Sequence, residues 1–213
     1  MKSYLIRPAL ALAVAAALSA CGGSDKAEFT VRGTVAGIVY PGAVITTNGM
    51  ELALAPPSTP GGVVSFEFPN KLEYGDVYNV QFKSTPANQK TCGPLANTIP
   101  NFNDTAGRLE EINITLACNV DSYALTGTIT GLTADNLVLA NGSNTGTLTV
   151  AKETAETPKP YVFTMPNVNY GVSYSVAVVQ QPTGLTCTVT NGTGVMGAAN
   201  VTNVLVACTP NPA

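Results

Sequence analysis

The chain has 213 residues, of which 45% are apolar and only 11% charged, with a net charge of −3 and neither histidine nor tryptophan. This length allows one or two domains, and an apolar, weakly charged composition excludes a disordered, solvated chain. A slightly acidic chain without a basic run excludes the electrostatic footprint of a nucleic-acid-binding protein, and the missing histidine removes the commonest general base and metal ligand.

The first twenty residues have the features of an export signal. Lys2 and Arg7 give the segment a positive start, and residues 9–18 are apolar. About ten apolar residues are too few to span the ~30 Å hydrocarbon core of a bilayer as a helix. The segment therefore predicts a cleaved signal and not a membrane-spanning helix.

The residues that end this segment, Leu18, Ser19, Ala20 and Cys21, resemble the lipoprotein box of bacterial lipoproteins. The resemblance implies that a signal peptidase recognises the first three and removes residues 1–20. It also implies that Cys21 becomes the N-terminus and carries a diacylglyceryl group and a further acyl chain such as palmitate. Two or three acyl chains anchor a protein stably, whereas one chain holds it only marginally. The alternative is an ordinary secretory signal followed by a chance cysteine.

The residue after the cysteine bears on the choice of membrane. Under the Gram-negative sorting rule that the resemblance implies, an aspartate there retains a lipoprotein in the inner membrane, and this chain has Gly22. We therefore expect an outer-membrane protein of the cell envelope whose partner, through acylated Cys21, is the lipid bilayer. Residues 21–27 are the lipidated cysteine and its tether, with a reach of roughly 15 Å, so the folded chain stays near the bilayer.

The remaining chain contains one pattern twice, with an offset of about 95 residues. Six pairs of segments match in the same order: 31–37 with 125–131, 48–49 with 141–142, 64–70 with 161–167, 74–80 with 170–176, 91–92 with 186–187, and 114–118 with 204–208. Ordered matches predict two copies of one domain, over 28–119 and 120–213. Because few residues separate the copies, we expect a fairly stiff rod.

Both copies have the composition and alternation of β-strands. In the second copy the alternating segments are 123–130, 137–140, 147–151, 161–165, 172–179, 186–190 and 203–208. Turn dipeptides such as Asn141-Gly142 and Asn191-Gly192 separate them. Seven short strands in about 90 residues predict, for each copy, a two-sheet antiparallel β-sandwich, so the fold class is all-β.

A local pattern in both copies bears on the type of sandwich. Segments 72–80 and 168–176 share a glycine, a tyrosine three residues later and an alternating strand, and they resemble the tyrosine corner of immunoglobulin-like and fibronectin type III domains. The resemblance implies that the hydroxyls of Tyr78 and Tyr174 bond to backbone a few residues upstream. The alternative is a strand that merely begins near a tyrosine, and the missing tryptophan departs from the immunoglobulin core pattern.

Four cysteines remain besides Cys21, and export would place them in an oxidising compartment where disulfides persist. Three pairings are available. The duplication favours one bond in each copy, Cys92–Cys118 and Cys187–Cys208. A zinc site is disfavoured because the chain has neither a Cys-x-x-Cys motif nor a histidine.

No residue set predicts catalysis, a cofactor or a metal site. Glu110 and Glu111 are adjacent, and on a strand neighbours point to opposite faces, so they would not share a site. Oxygen ligands for calcium are available in a loop (Asn101, Asn103, Asp104) and at Asp76, but plain turns use the same residues. Phe102 in that loop either is an exposed contact residue or folds back onto the core.

As a whole, the chain resembles bacterial lipoproteins and surface proteins with repeated immunoglobulin-like modules. This resemblance implies a membrane-anchored, non-enzymatic structural, adhesion or binding module whose partner is an envelope protein or a surface glycan. Two alternatives stay open at this point: a periplasm-facing scaffold of an envelope complex, and a carbohydrate-binding module.

Overall fold

The computed structural model describes residues 26–95, 102–142, 146–157 and 160–212, and all of their regular secondary structure is β-strand. The described residues include no helix that could span a membrane. The predicted signal peptide and Cys21 lie outside the described residues. The all-β prediction is confirmed.

The first half of the chain contains eleven strands in the described ranges. They are β1 (Glu28–Phe29), β2 (Val31–Ala36), β3 (Ala43–Thr47), β4 (Met50–Leu54), β5 (Val63–Glu67), β6 (Leu72–Glu73), β7 (Val77–Asn79), β8 (Gln81–Ser84), β9 (Thr91–Pro94), β10 (Asn103–Thr105) and β11 (Ile112–Asn119). A four-stranded sheet has the order β5-β2-β11-β9 and a three-stranded sheet the order β4-β3-β8, while β1 pairs with β6 and β10 with β7.

The second half repeats this arrangement. Its strands are β12 (Ser122–Thr130), β13 (Leu137–Asn141), β14 (Thr147–Val150), β15 (Tyr161–Asn169), β16 (Ser173–Gln180), β17 (Leu185–Thr190), β18 (Thr193–Val195) and β19 (Val201–Pro210). The two sheets have the orders β15-β12-β19-β17 and β14-β13-β16-β18. Strand by strand, the first of these sheets corresponds to β5-β2-β11-β9.

One feature of the predicted sandwich is wrong, because the sheets are not purely antiparallel. The first long strand of each half lies parallel to the last: β2 with β11, and β12 with β19. In each half the chain makes six reversals between seven main strands, so the seventh runs in the direction of the first. The strand count also differs from seven in both halves: the described residues form eleven strands in the first half, several of them only two or three residues long, and eight in the second, where short β18 is added to β16.

Each half encloses its own apolar core between its two sheets. In the first half Val35 from one sheet and Ile45 from the other are fully buried in one cluster. In the second half Leu125 and Leu139 do the same in a separate cluster. Alternation explains this arrangement, since every second residue of β2 and β3 is buried and the residues between them are not.

The Asn-Gly turn of the first half is a two-residue hairpin between β3 and β4. Asn48 and Gly49 both have left-handed backbone angles (φ 47° and 74°), as this tight turn requires, and Thr47 pairs with Met50 across it. Asparagine and glycine tolerate that conformation best, which fixes the strand register here.

At the end of β3 and of β13, the residues that are equivalent in the structure differ by one position from those that the sequence repeat aligns. The sequence pairs Asn48 with Asn141, but Thr47 occupies the place of Asn141. The hydroxyl of Thr47 accepts the backbone N–H of Asn79 (3.2 Å), and the amide oxygen of Asn141 accepts the N–H of Ser175 (2.7 Å). Both side chains are buried and perform the same function with different chemistry.

Candidate functional site

Both predicted disulfides are present and join the same two strands of each half. Cys92–Cys118 links β9 to β11, and Cys187–Cys208 links β17 to β19, with Cα–Cα distances of 4.1 and 3.9 Å. In each case the two cysteines face each other directly in the antiparallel register. Each bond therefore fixes the edge strand of a sheet to the strand beside it.

A matched glycine lies against each disulfide. Gly37 and Gly131 follow β2 and β12 with φ of +74° and +71°. A Cβ atom added to either one would clash with the carbonyl oxygen of Cys118 or Cys208. Because glycine has no side chain, the chain can turn away from the parallel strand pair at this position while it passes close to the backbone of the cysteine.

The two tyrosines predicted to form corners differ in their burial. Tyr78 on β7 is almost completely buried, whereas Tyr174 on β16 is half-buried beside Gly194. Neither hydroxyl donates a hydrogen bond to a described backbone group. The tyrosine corner therefore stays a prediction for both residues, and the burial of Tyr78 is what the structure adds.

The acidic residues that were considered for chemistry have structural partners. Glu110 and Glu111 lie in the bend before β11 and not on a strand, so the expectation that strand alternation separates them was wrong. Glu111 pairs with Arg32 at 2.7 Å. In the residues that can be described, no cluster of three potential metal ligands occurs.

The loop considered for calcium uses its carboxylates internally. Asp104 on β10 accepts the backbone N–H of Thr105 (2.8 Å) and pairs with Arg108 (3.0 Å). Asp76 accepts the backbone N–H of Glu73 at 2.9 Å. Asn101 lies outside the described residues, so these contacts concern only the other candidate ligands.

Phe102 is not an exposed contact residue. Its ring is half-buried and packs against the core of the first half, and its carbonyl accepts the backbone N–H of Val80 at 2.8 Å. Of the two interpretations of this loop aromatic, the one in which it folds back onto the core is confirmed.

An open groove of 410 Å³ lies on the outer face of the first sheet, lined by Arg32, Ser65, Glu67 and Asn113 among others. Its lining is mainly polar and exposed. The Arg32 guanidinium pairs with Glu111, which raises the pKa of Arg32 further above its ordinary value, mainly through the hydrogen bond and then through the charge of Glu111. A permanently charged, already paired arginine is no general acid or base.

The most specific arrangement of side chains lies where the two halves meet. β11 ends at Asn119 and β12 begins at Ser122, so the connection is two residues long. Asp121 in this connection bonds to both halves. Its N–H donates to the carbonyl of Asn88 (2.8 Å), its carboxylate accepts the N–H of Lys90 (3.0 Å), and its carbonyl accepts the N–H of Tyr170 (2.9 Å).

Gln89, between the two partners of Asp121 in the first half, positions the neighbouring loop. Its side chain is fully buried; the amide oxygen accepts the N–H groups of Val39 (2.8 Å) and Tyr40 (3.0 Å), and the amide nitrogen donates to Gly37 O (2.6 Å). A buried amide that makes three of its four possible hydrogen bonds has a partner for both its oxygen and its nitrogen and holds its loop in one place.

The loop held by Gln89 presents Tyr40 to the second half. The ring of Tyr40 packs edge-to-face on the ring of Tyr170, with 5.5 Å between centroids. An aromatic pair of this geometry contributes about 0.5–1.5 kcal/mol beyond its buried area. We call the group Tyr40, Gln89, Asp121 and Tyr170 the junction.

Sequence reasoning missed the junction residues. The short connection predicts stiffness but does not identify the contacts. Gln89 and Asp121 are single polar residues in loops, a context in which most such residues are solvated. The duplication does carry one usable signal, since Tyr170 aligns with Tyr74 of the first half.

No protein-family model and no curated protein matches the chain. Among solved structures it is similar to the TIE protein of Bacillus anthracis (TM-score 0.49, 14% identity), over 86% of this chain and 34% of that one. It is also similar to a streptococcal ancillary pilin (TM-score 0.30, 12% identity), over 87% of this chain and 63% of that one. A mutant of the shaft pilin spaA from Lactobacillus rhamnosus GG gives a TM-score of 0.29 at 11% identity, over 88% of this chain and 100% of that one. The chain thus spans about a third of the TIE protein chain and under two thirds of the ancillary pilin.

Proposed function

We propose that this chain is a lipid-anchored envelope protein in which two disulfide-stapled β-sandwich domains, 28–119 and 120–213, form a stiff, non-enzymatic structural or binding module. The junction carries the proposal of a stiff module, and the resemblance of residues 18–21 to the lipoprotein box supports the anchor. A connection of two residues, bonded on both sides through Asp121, holds the second domain against the first. A rigid two-domain body suits spacing or presentation, for which the relative orientation of the modules must be constant.

The non-enzymatic character is supported by the sequence and by the contacts of the acidic groups. The chain has no histidine, and the adjacent Glu110 and Glu111 are solvent-exposed, with Glu111 paired to Arg32. Hydrolysis of a glycoside by paired carboxylates needs both groups to flank the scissile bond of one bound substrate.

The anchor is tested by Cys21→Ser, with Ser24→Ala in the tether as the matched control. We expect the serine variant to remain an uncleaved, unlipidated precursor, because the thiol is the acylated atom, while the control floats with membranes like the wild type. Membrane association together with normal cleavage of the serine variant would contradict the anchor.

The choice of membrane and of side is tested separately. Under the sorting rule, Gly22→Asp is expected to move the protein from outer to inner membrane fractions. Protease treatment of intact cells then distinguishes a surface module, which is cut, from a periplasm-facing scaffold, which is protected. Binding to immobilised envelope glycans would move the assignment to a carbohydrate-binding module.

A further inference from the structure

The loop that docks the second half onto the first has an equivalent in the first half. Tyr170 N–H donates to Asp121 O (2.9 Å) and Gly171 N–H donates to Met196 O (2.9 Å). In the first half, Tyr74 N–H donates to Ala27 O (3.0 Å) and Gly75 N–H to Ala106 O (3.0 Å). The backbone hydrogen bonds are the same, so Tyr74 and Tyr170 occupy equivalent places at the same end of each module.

The surroundings of these two tyrosines differ. Tyr170 is half-buried against Tyr40, whereas 71% of Tyr74 is exposed. The Tyr74 ring lies over Gly107, which has φ +94°, and a Cβ added to Gly107 would clash with that ring. The ring is therefore seated on its own module, with its outer face uncovered. Among the described residues it is the most exposed large apolar side chain.

What precedes each tyrosine along the chain indicates what faces it. Asp121, the acceptor of Tyr170, is preceded by the first half, and Tyr170 contacts that half. Ala27, the acceptor of Tyr74, is preceded by the tether from Cys21, six residues away. Six residues reach roughly 15 Å as a random coil, which leaves room for little besides the bilayer itself.

We propose that the Tyr74 surface, formed by Tyr74, Lys26, Lys71 and Arg108, rests on the lipid headgroups of the bilayer that holds Cys21. This inference rests on the proposed lipid anchor. A tyrosine ring has an apolar body and a polar hydroxyl, which suits the headgroup level of a membrane. The lipid surface would thus occupy the place that the first half occupies for Tyr170.

The charges of this surface define the lipid it fits. Lys26 pairs with Glu73, Lys71 with Glu28 at 3.0 Å, and Arg108 with Asp104 at 3.0 Å. Because every one of these cations already has a carboxylate partner, the surface presents paired charges that suit zwitterionic headgroups. Contact with the bilayer should therefore not need anionic lipid.

A second copy of the chain is a poorer occupant. For Tyr74 to repeat the junction, another copy would have to offer Tyr40 and Gln89 at its free end. At the far end of the second half, the place of Tyr40 is taken by Ala134, since each lies three residues after the glycine that follows the first long strand. The place of Gln89 is taken by Leu185, since the backbone N–H of each donates to the carbonyl of a proline three residues earlier. Neither residue can supply the edge-to-face ring or the amide bonds.

The missing tryptophan makes the test direct. Tyr74→Trp places the only tryptophan of the chain on the proposed contact. Val179→Trp places it instead near the C-terminal end of β16, away from the junction, where 57% of the native residue is exposed. Each full-length lipidated variant is reconstituted into phosphatidylcholine vesicles that contain a phospholipid with a nitroxide on its headgroup. Arg108→Trp replaces Tyr74→Trp if the latter does not fold.

We expect the nitroxide lipid to quench the tryptophan at position 74 several-fold more than that at position 179, and the difference to vanish when residues 21–213 are produced without the signal segment and with Cys21→Ser. Equal, weak quenching of both variants while both float with the vesicles would overturn the proposal and leave the anchor intact. If quenching is equally weak and the protein is also found to be a dimer in detergent, the Tyr74 surface would be assigned to contact with a second copy. Failure of the lipidated protein to float would overturn both the anchor and the bilayer contact.

Discussion

Single glycines determine how closely the backbones of each module approach. Gly33 and Gly127 lie in the parallel strand pairs, where an added Cβ would clash with the carbonyl oxygens of Ile114 and Val204. The cross-strand partner of Gly127 is Phe163, whose ring fills the space over the glycine, as Phe66 does over Gly33. An aromatic ring that covers a strand glycine replaces the missing side-chain packing.

We expect Gly127→Ala to lower the free energy of unfolding by about 1–3 kcal/mol or more, because a methyl group would force the strand from its neighbour. Gly197→Ala is the control, since a Cβ there has no heavy atom within 4 Å and the backbone angle is ordinary. Urea unfolding of both variants measures the effect. An unchanged stability of Gly127→Ala would contradict the close approach of the strands.

The buried phenol of Tyr78 predicts a dependence of stability on alkaline pH. Burial raises the pKa of Tyr78 above its ordinary value of 10.0, and the negative charge of Asp104 raises it further, against a smaller opposing effect of Arg108. Because the pKa of Tyr78 is higher in the folded state than in the unfolded state, the contribution of the protonated phenol to stability is fully present below about pH 10. This contribution is lost as the pH rises through the folded-state pKa.

Tyr78→Phe removes the ionisable group and should reduce the alkaline loss of stability, measured by urea unfolding at about pH 8 and about pH 11. Tyr74→Phe is the control for removal of a phenol hydroxyl at an exposed position. An identical alkaline loss in Tyr78→Phe and in the wild type would show that ionisation of this phenol does not contribute.

At the scale of strands, the two disulfides hold equivalent edges with loops of similar length. Their sequence separations are 26 and 21 residues. The chain-entropy relation gives roughly 3–3.5 kcal/mol for each, so their loss should have nearly equal effects. The double variants Cys92→Ser/Cys118→Ser and Cys187→Ser/Cys208→Ser are compared by denaturant unfolding. A loss well below 1 kcal/mol in one pair alone would contradict equivalent functions for the two bonds.

Most strands of the second half could be predicted from the sequence because apolar alternation is strong there. Predicted segment 186–190 agrees with β17 to within one residue at its start, and 137–140 agrees with β13 to within one at its end. The missed strand, β18, has three residues with Gly194 in the middle, too few for an alternating pattern. Parallel pairing was also missed, because alternation gives strand faces and not strand directions.

The predicted sites differ in how far local sequence determines them. Duplication alone selects Cys92–Cys118 and Cys187–Cys208, because each copy can close its own bond. The junction was beyond prediction because Gln89 and Asp121 have functions only through contacts between residues that are far apart in sequence. The burial that distinguishes Tyr78 from Tyr174 likewise follows from tertiary packing, although the two lie in matching segments.

Across the whole chain, a stiff module requires the two halves to move as one body. The polar bonds of Asp121 and the ring pair of Tyr40 and Tyr170 act in parallel across a two-residue connection. Such a body keeps its two ends at a fixed distance and angle from each other, and this constancy is what a spacer or a presenting module requires.

This rigidity is measured by residual dipolar couplings of the backbone amides of residues 21–213, produced without the signal segment and with Cys21→Ser. We predict that one alignment tensor fits both halves, that Tyr170→Ala makes the two fitted tensors diverge in magnitude, and that the matched Tyr74→Ala change does not. Two tensors of different magnitude in the chain that retains both tyrosines would show that the halves move independently and would contradict the rigid module.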